Sequence, residues 1–200
     1  AHTCILSSEN TPKELFCWGS NWQGQIGKPG AVFDDYGPEK VSGVTLHPDL
    51  PEDHSLVSAG GVTCAIDPNR AVVCFGDDIY RQLGRGDDTT PPHEPAPVAG
   101  LPGPTIRLFG GNEHFCALLG APFEGDLYCW GRHQATGTFD YLAPEAEFLM
   151  GDTVHAALHT EASFAVLNNG AAKSWGAADS ILLSRSPYPR LEPRACCDDF

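Results

Sequence analysis

The chain has 200 residues, with 42% hydrophobic and 19% charged residues, 22 glycines and 17 prolines. This composition predicts one loop-rich, mostly β domain and excludes a coiled coil or a disordered tail. Twelve Lys and Arg against 26 Asp and Glu give a net charge of −14, so nucleic acid and anionic membranes are poor partners. No apolar run approaches the ~20 residues that span a bilayer, so membrane insertion is not expected. No signal segment opens the chain at Ala1, which favours a processed mature form.

The cysteines suggest the compartment. Eight are present, and their spacing contains no CxxC pair with a matching histidine pair, so disulfides are favoured over a zinc finger. Disulfides persist in oxidising compartments, and we therefore expect the protein to be extracellular, on the cell surface or periplasmic. The pairing of the adjacent Cys196 and Cys197 stays open.

Four segments of the chain share a pattern that ends in an aromatic residue and a glycine. A repeat of this length is one supersecondary unit. We predict a single domain of four repeats, at about 1–45, 46–100, 101–150 and 151–200. The four aromatic–glycine pairs are Trp18-Gly19, Phe75-Gly76, Trp130-Gly131 and Trp175-Gly176.

Each repeat is predicted to contain two short strands joined by a hairpin, because β-branched and aromatic residues alternate with turn residues. Cysteines opposite each other on such strands are close enough for a disulfide. The fourth repeat is expected to have Ala165 and Ser174 at the two cysteine positions, so that both partners of a bridge are absent together. The predicted disulfides are Cys4–Cys17, Cys64–Cys74 and Cys116–Cys129.

The stretches between the hairpins are rich in glycine and proline, above all residues 84–104. Prolines at this density predict connections, with at most an edge strand between them. Short strands at regular spacing and a long repeat favour an all-β, propeller-like array of about four hairpin-based blades.

The segment from Cys17 to Gly27, Cys-Trp-Gly-Ser-Asn-Trp-Gln-Gly-Gln-Ile-Gly, resembles the signature of the regulator of chromosome condensation repeat, and Phe75 to Asp87 is similar. The resemblance implies a β-propeller, usually of seven blades, and cysteine-bearing members occur among secreted bacterial proteins. Four repeats would therefore form a ring that is small, open or completed by a partner. The family's chromatin-linked nucleotide exchange is set aside because this chain lacks the positive charge. Other members are protein-recognition surfaces.

Histidine placement suggests a metal site. If Cys116 lies opposite Cys129, then His114 lies opposite Gly131 and diagonal to His133, with diagonal neighbours roughly 7–8 Å apart. Imidazole suits several transition metals, and affinity peaks at copper. His114 and His133 are therefore candidate copper ligands. The alternative is that both are half-exposed blade residues that bind water.

A second, general resemblance is to the copper-binding surface proteins of methane-oxidising bacteria, in which two histidines and an oxidised tryptophan hold the metal. The resemblance rests on size, acidity and oxidising setting. It implies Trp130, the tryptophan nearest to His133, as a modified or ligand-facing aromatic. Strict strand alternation, however, directs Trp130 away from the face of His114.

No catalytic motif accompanies these features, and we expect a non-enzyme. The favoured function is a secreted or surface-held binding protein that acquires or stores copper. The alternative is a protein- or glycan-recognition propeller module whose loops present aromatic anchors. The partner is then a metal ion or a surface protein, and the oligomeric state stays open. The candidate anchors are Trp22, Phe33, Tyr36 and Tyr80.

Overall fold

A computed structural model describes residues 1–7, 13–30, 35–86, 89–132, 142–160, 162–176 and 194–195. Its regular structure is almost entirely β, and the helix α1 (Glu52–Ser55) has four residues. Within these ranges no helix is long and apolar enough to cross a membrane. The strands are β1 (His2–Leu6), β2 (Glu14–Ser20), β3 (Asp35–Thr45), β4 (Leu56–Ala59), β5 (Val62–Ile66), β6 (Val72–Gly76), β7 (Ala96–Pro97), β8 (Thr105–Gly110), β9 (His114–Leu119), β10 (Leu127–Arg132), β11 (Leu142–Met150), β12 (Thr153–Leu158), β13 (Ala162–Leu167), β14 (Ala172–Gly176) and β15 (Arg194–Ala195).

The strands form four antiparallel sheets in chain order, which we call blades 1 to 4. Blade 1 has the strand order β1-β2-β3, blade 2 has β4-β5-β6-β7, blade 3 has β8-β9-β10-β11, and blade 4 has β12-β13-β14-β15. Adjacent blades pack against each other through their faces, and β8 also contacts both β4 and β12. The first strands of blades 2 to 4 therefore lie together at the inner edge. The expected all-β propeller of hairpin-based blades is confirmed.

Cysteine pairs staple the central hairpin of the first three blades, as the sequence predicts. Cys4 lies opposite Cys17, Cys64 opposite Cys74 and Cys116 opposite Cys129, and the paired Cα atoms are 4.1 to 4.2 Å apart. The register fixes the neighbouring positions as well, because pairing across a sheet advances one residue at a time. The residue two positions before the first cysteine therefore lies opposite the glycine of the aromatic–glycine pair.

The fourth hairpin corrects one sequence expectation. Ala165 and Ser174 were expected to occupy the two cysteine positions, but Phe164 lies opposite Ser174 and Ala165 lies opposite Lys173. Gly176 pairs with Ala162, just as Gly131 pairs with His114 in blade 3. The expected alignment was one residue too late, and a one-residue slip moves every side chain to the other face of the strand.

Each blade contains more than the two strands expected from its sequence. The added inner strands are β4, β8 and β12, and the added outer strands are β3, β7, β11 and β15. In the described part of the proline-rich stretch at 84–104, the connection contains one strand, the two-residue β7. Pro97 sits in this outer strand, where a missing backbone donor is tolerated at the edge of a sheet.

The hydrophobic core is divided among the blade junctions. The aromatic residue of each aromatic–glycine pair after the first lies in the cluster shared with the preceding blade. Phe75 packs with Leu15 of blade 1, Trp130 packs with Ile66 of blade 2, and Trp175 packs with Leu127 of blade 3. The repeated aromatic is therefore the residue that joins each blade to the one before it.

Candidate functional site

Two turns of identical construction follow the central hairpins of blades 1 and 2. The turns at 21–27 and 78–84 each begin with a side-chain oxygen that accepts a hydrogen bond from a backbone N–H five residues later. Asn21 Oδ1 accepts from Ile26 at 3.2 Å, and Asp78 Oδ1 accepts from Leu83 at 2.9 Å. Burial raises the pKa of the Asp78 carboxyl, although this hydrogen bond opposes the rise. The neutral Asn21 performs the same role in blade 1.

A glutamine closes each turn from inside. Gln25 Oε1 accepts a hydrogen bond from the Gln23 backbone N–H at 2.9 Å, and Gln82 Oε1 accepts from Tyr80 at 2.7 Å. The final glycine of the second turn, Gly84, has φ +63°, and a Cβ there would lie 2.5 Å from Trp130. Glycine is therefore needed both for its backbone conformation and for the close packing of the next blade.

The second residue of each turn is large, apolar and exposed. Trp22 is 61% exposed in the first turn, and Ile79 is 68% exposed at the equivalent position of the second. Sequence reasoning selected Trp22 and missed Ile79, which aligns with Trp22 once the two turns are superposed residue by residue. We call Trp22 and Ile79 the turn-tip pair.

A pocket of about 400 Å³ lies beside Trp22, the first member of the turn-tip pair. Asp77 is a nearly buried carboxylate in its wall, where Oδ1 accepts from the Ile79 backbone N–H at 3.1 Å and Oδ2 accepts from Gln82 Nε2 at 3.4 Å. The pocket thus joins an exposed indole to hydrogen-bonding groups that the fold holds in place. It is lined by Ala1, His2, Ser20, Trp22, Gln23, Gln25, Gly60, Gly61 and Asp77.

Two of the other predicted aromatic anchors, Tyr36 and Tyr80, are less exposed than Trp22. Tyr36 is half-buried and has the Lys28 ammonium 5.8 Å from its ring centre, while Tyr80 is half-buried with the Arg132 guanidinium 4.7 Å away. Phe33 lies outside the described residues. Among the three of these aromatics that the structure describes, Trp22 is therefore the most exposed.

His114, the predicted metal ligand, lies in the junction between blades 3 and 4. It is only 4% exposed, and its Nε2 is 2.9 Å from Ser163 Oγ, a hydrogen-bonding distance. His133 lies outside the described residues. Among the residues that the structure describes, no three His, Cys, Asp or Glu side chains lie close enough to hold a metal ion together. Copper binding stays a prediction.

His2 occupies the equivalent position in the junction between blades 1 and 2. Its Nε2 is 2.8 Å from Thr63 Oγ1, and the Thr63 hydroxyl donates to the Gln25 carbonyl at 3.0 Å. The imidazole N–H is therefore the donor to Thr63. Burial lowers the pKa of His2, and the N-terminal ammonium lowers it further. Both effects favour the neutral imidazole that this hydrogen bond uses.

Trp130 is fully buried on the opposite face of its hairpin from His114. Its Nε1 donates to the Gln82 carbonyl at 2.8 Å, and its ring stacks on Phe115 with 6.3 Å between ring centres. The indole thus connects blade 3 to the second turn. This position is a packing position, and the oxidation state of Trp130 stays a prediction.

The blades and the repeated turns define the fold class. Four hairpin-based blades, of which the first two are followed by a glutamine turn, form a propeller-like array with the fold of the regulator of chromosome condensation propellers. The chain superposes on human WBSCR16 with a TM-score of 0.74 at 20% identity, covering 98% of this chain and 52% of that one. It superposes on yeast RCC1 (Prp20) with a TM-score of 0.74 at 20% identity, covering 97% and 46%.

Sequence comparison finds curated proteins whose names also refer to this type of propeller. The chain is 29% identical to Protein RCC2 homolog of Danio rerio over 157 residues, which is 74% of this chain and 29% of the relative. It is 26% identical to Protein RCC2 of Mus musculus over the same length. No family model matches the chain. The chain spans less than a third of these curated relatives and about half of the solved propellers.

Proposed function

We propose that this propeller is a non-catalytic protein-recognition module and that the turn-tip pair, with its pocket, contacts the partner. The observation that carries the proposal is the exposure of Trp22 and Ile79 at equivalent positions of two rigid turns. Large apolar side chains held at fixed positions on a surface are typical anchors of protein interfaces. Their turns are already ordered by internal hydrogen bonds, so binding loses little conformational entropy.

Related propellers support the same kind of partner. Yeast RCC1 (Prp20) is known in a crystal structure bound to Kap60, and Prp20p has described binding properties towards Gsp1p and histones. These partners belong to the yeast protein. For this chain they support a protein partner as a class, while the shape and chemistry of the turn-tip surface would decide which protein binds.

We place the protein in an oxidising compartment, outside the cell or in the periplasm. Three hairpin disulfides support this proposal, because such bonds persist where thiols are not kept reduced. The partner would then be an extracellular or surface protein. Mass spectrometry of the protein from its native source, without reductant, would detect the three bridges.

The test replaces Trp22 with a photo-cross-linking amino acid and identifies the captured protein from the native extracellular or periplasmic fraction. The purified partner is then titrated against Trp22→Ala and Ile79→Ala. Each truncation is expected to weaken binding by about tenfold or more, as for a buried interface anchor. Circular dichroism of both variants checks that the fold is retained.

The matched control is Phe148→Ala, which truncates another exposed aromatic, 56% exposed, on the outer strand β11. This variant is expected to bind as the parent does. Equal affinity of all three variants and the parent would mean that the partner docks elsewhere, and the turn-tip assignment would be abandoned.

A further inference from the structure

A cluster of basic side chains lies at the inner edge of blades 2 to 4, at the end of β4 opposite to Gly60-Gly61. Its members come from three separate elements: His54 from α1, Arg107 from β8 and His155 from β12. The cluster is unexpected in a chain with a net charge of −14. It lies outside the turn-tip surface and has no part in that proposed function.

Arg107 is the centre of this cluster. Its guanidinium carbon lies 5.3 Å from the centre of the Phe109 ring, and its side chain is 22% exposed. The nearest carboxylate oxygen, Asp53 Oδ2, is 3.9 Å from Nη2, which is too long for a hydrogen bond. Within the described part of the chain Arg107 donates no hydrogen bond, and its Nε is buried without a partner.

The terminal guanidinium nitrogens of two other arginines are hydrogen-bonded, although the Nε of Arg85 is also buried without an acceptor among the described residues. Arg85 donates to the backbone carbonyls of Thr90 and Cys74, at 3.1 and 2.8 Å, and Arg132 donates to Glu113 Oε2 at 2.9 Å. An arginine carries five N–H donors in a planar fork, and burial of these donors without acceptors is costly. The terminal nitrogens of Arg107 therefore have room for an acceptor from outside the described residues, because the side chain is 22% exposed.

The two histidines place imidazole groups next to Arg107 and its neighbours. The His155 ring lies edge-on to Phe109, with 5.5 Å between ring centres, so Arg107 and His155 border the same aromatic ring. His54 Nε2 lies 3.8 Å from the same Asp53 oxygen that faces Arg107. Burial lowers the pKa of His155, and the charges of Arg107 and His54 lower it further, as expected in a locally positive field.

We propose that Arg107, His54 and His155 form a binding site for an oxyanion, that is, a carboxylate or phosphate group. The guanidinium fork matches the paired oxygens of either group, and Phe109 holds the fork in place. The imidazole N–H groups supply further donors. Asp53 is the competing anion, but its side chain is 74% exposed and makes no hydrogen bond to Arg107, so a ligand can displace it.

The test uses inorganic phosphate and acetate as probes, each against chloride at the same ionic strength. Binding is followed through the NMR signals of the His155 and His54 imidazoles in the full chain. At least one oxyanion is expected to shift both signals in a saturable way, and comparison of the two distinguishes a phosphate from a carboxylate ligand. Absence of a saturable shift with either probe would overturn the proposal.

Variants distinguish this site from general attraction to a surface. Arg107→Gln is expected to weaken binding by about tenfold, the loss typical of a charge-assisted hydrogen bond. Arg81→Gln removes the same charge in the second turn and should leave binding unchanged. Asp53→Asn removes the competing carboxylate and should tighten binding. If Arg107→Gln fails to fold, Asp53→Asn decides alone, and unchanged or weaker binding by that variant would also overturn the site.

Discussion

At the scale of single residues, the blade junctions depend on a matched pair of positions. The central hairpin begins with β1, β5, β9 and β13 in blades 1 to 4. The first residue of this strand in one blade meets the second residue of the corresponding strand in the next blade. The pair is polar in two junctions and apolar in the third, where both members belong to one core cluster. The three pairs are His2 with Thr63, Val62 with Phe115, and His114 with Ser163.

This matching predicts the cost of breaking a polar pair. Ser163→Ala removes the hydroxyl that faces the buried His114, leaving an imidazole nitrogen without that partner, and should lower the free energy of unfolding by about 1–3 kcal/mol. Thr3→Ala is the control, because Thr3 has the equivalent position in blade 1 but is exposed. It should change stability by less than about 0.5 kcal/mol. Urea titration measures both, and equal effects would contradict the role of the junction.

At the scale of elements, the central hairpin is the constant unit of the fold. Its register is the same in all four blades, and a glycine lies opposite the first residue of the hairpin. Two residues further along is the facing pair that forms the disulfide in blades 1 to 3, which we call the staple position. Blade 4 keeps this register without a disulfide, because Phe164 and Ser174 occupy the staple position. The hairpin geometry therefore comes from strand pairing and packing, and the disulfide is added to it.

This view predicts that blade 4 can accept the missing staple. Phe164→Cys with Ser174→Cys should form a disulfide, because these residues lie directly opposite each other with the same sequence separation as Cys64 and Cys74, 10 residues. The bridge should raise the free energy of unfolding by about 2–4 kcal/mol over its reduced form. Ala165→Cys with Ser174→Cys is the control, since position 165 pairs with Lys173 and points to the other face. Intact mass and thiol counting distinguish the two, and efficient bridging of the control alone would reverse the register correction.

The elements also show what local sequence can and cannot reveal. The hairpins are predictable because cysteines, glycines and aromatics recur within a few residues of each other. The outer strands are not, because β3 contains Gly37 and Pro38, residues that normally argue against a strand and are tolerated at a sheet edge. The turn-tip pair could have been found by aligning the two turns. The Arg107 cluster could not, because it joins three blades that are distant in sequence.

At the scale of the whole molecule, packing between blades stabilises the folded state and the net charge destabilises it. Each junction adds a buried cluster, so stability grows with each blade that is packed against the next. The net charge of −14 works against this, because 12 Lys and Arg cannot neutralise 26 Asp and Glu. Excess charge of one sign destabilises a compact state through self-repulsion.

Salt should therefore stabilise this propeller. The Debye length falls from about 30 Å at 0.01 M to about 8 Å at 0.15 M, so added sodium chloride screens the repulsion among the excess carboxylates. It also weakens surface ion pairs such as Lys28–Glu39, but each exposed pair contributes only about 0–1 kcal/mol. We expect the midpoint of thermal unfolding to rise by about 2–4 °C if screening is worth about 1 kcal/mol. Calorimetry at the two salt concentrations measures this, with sucrose as the uncharged control. A fall in the midpoint with salt would mean that ion pairs, rather than net repulsion, dominate the electrostatics of the fold.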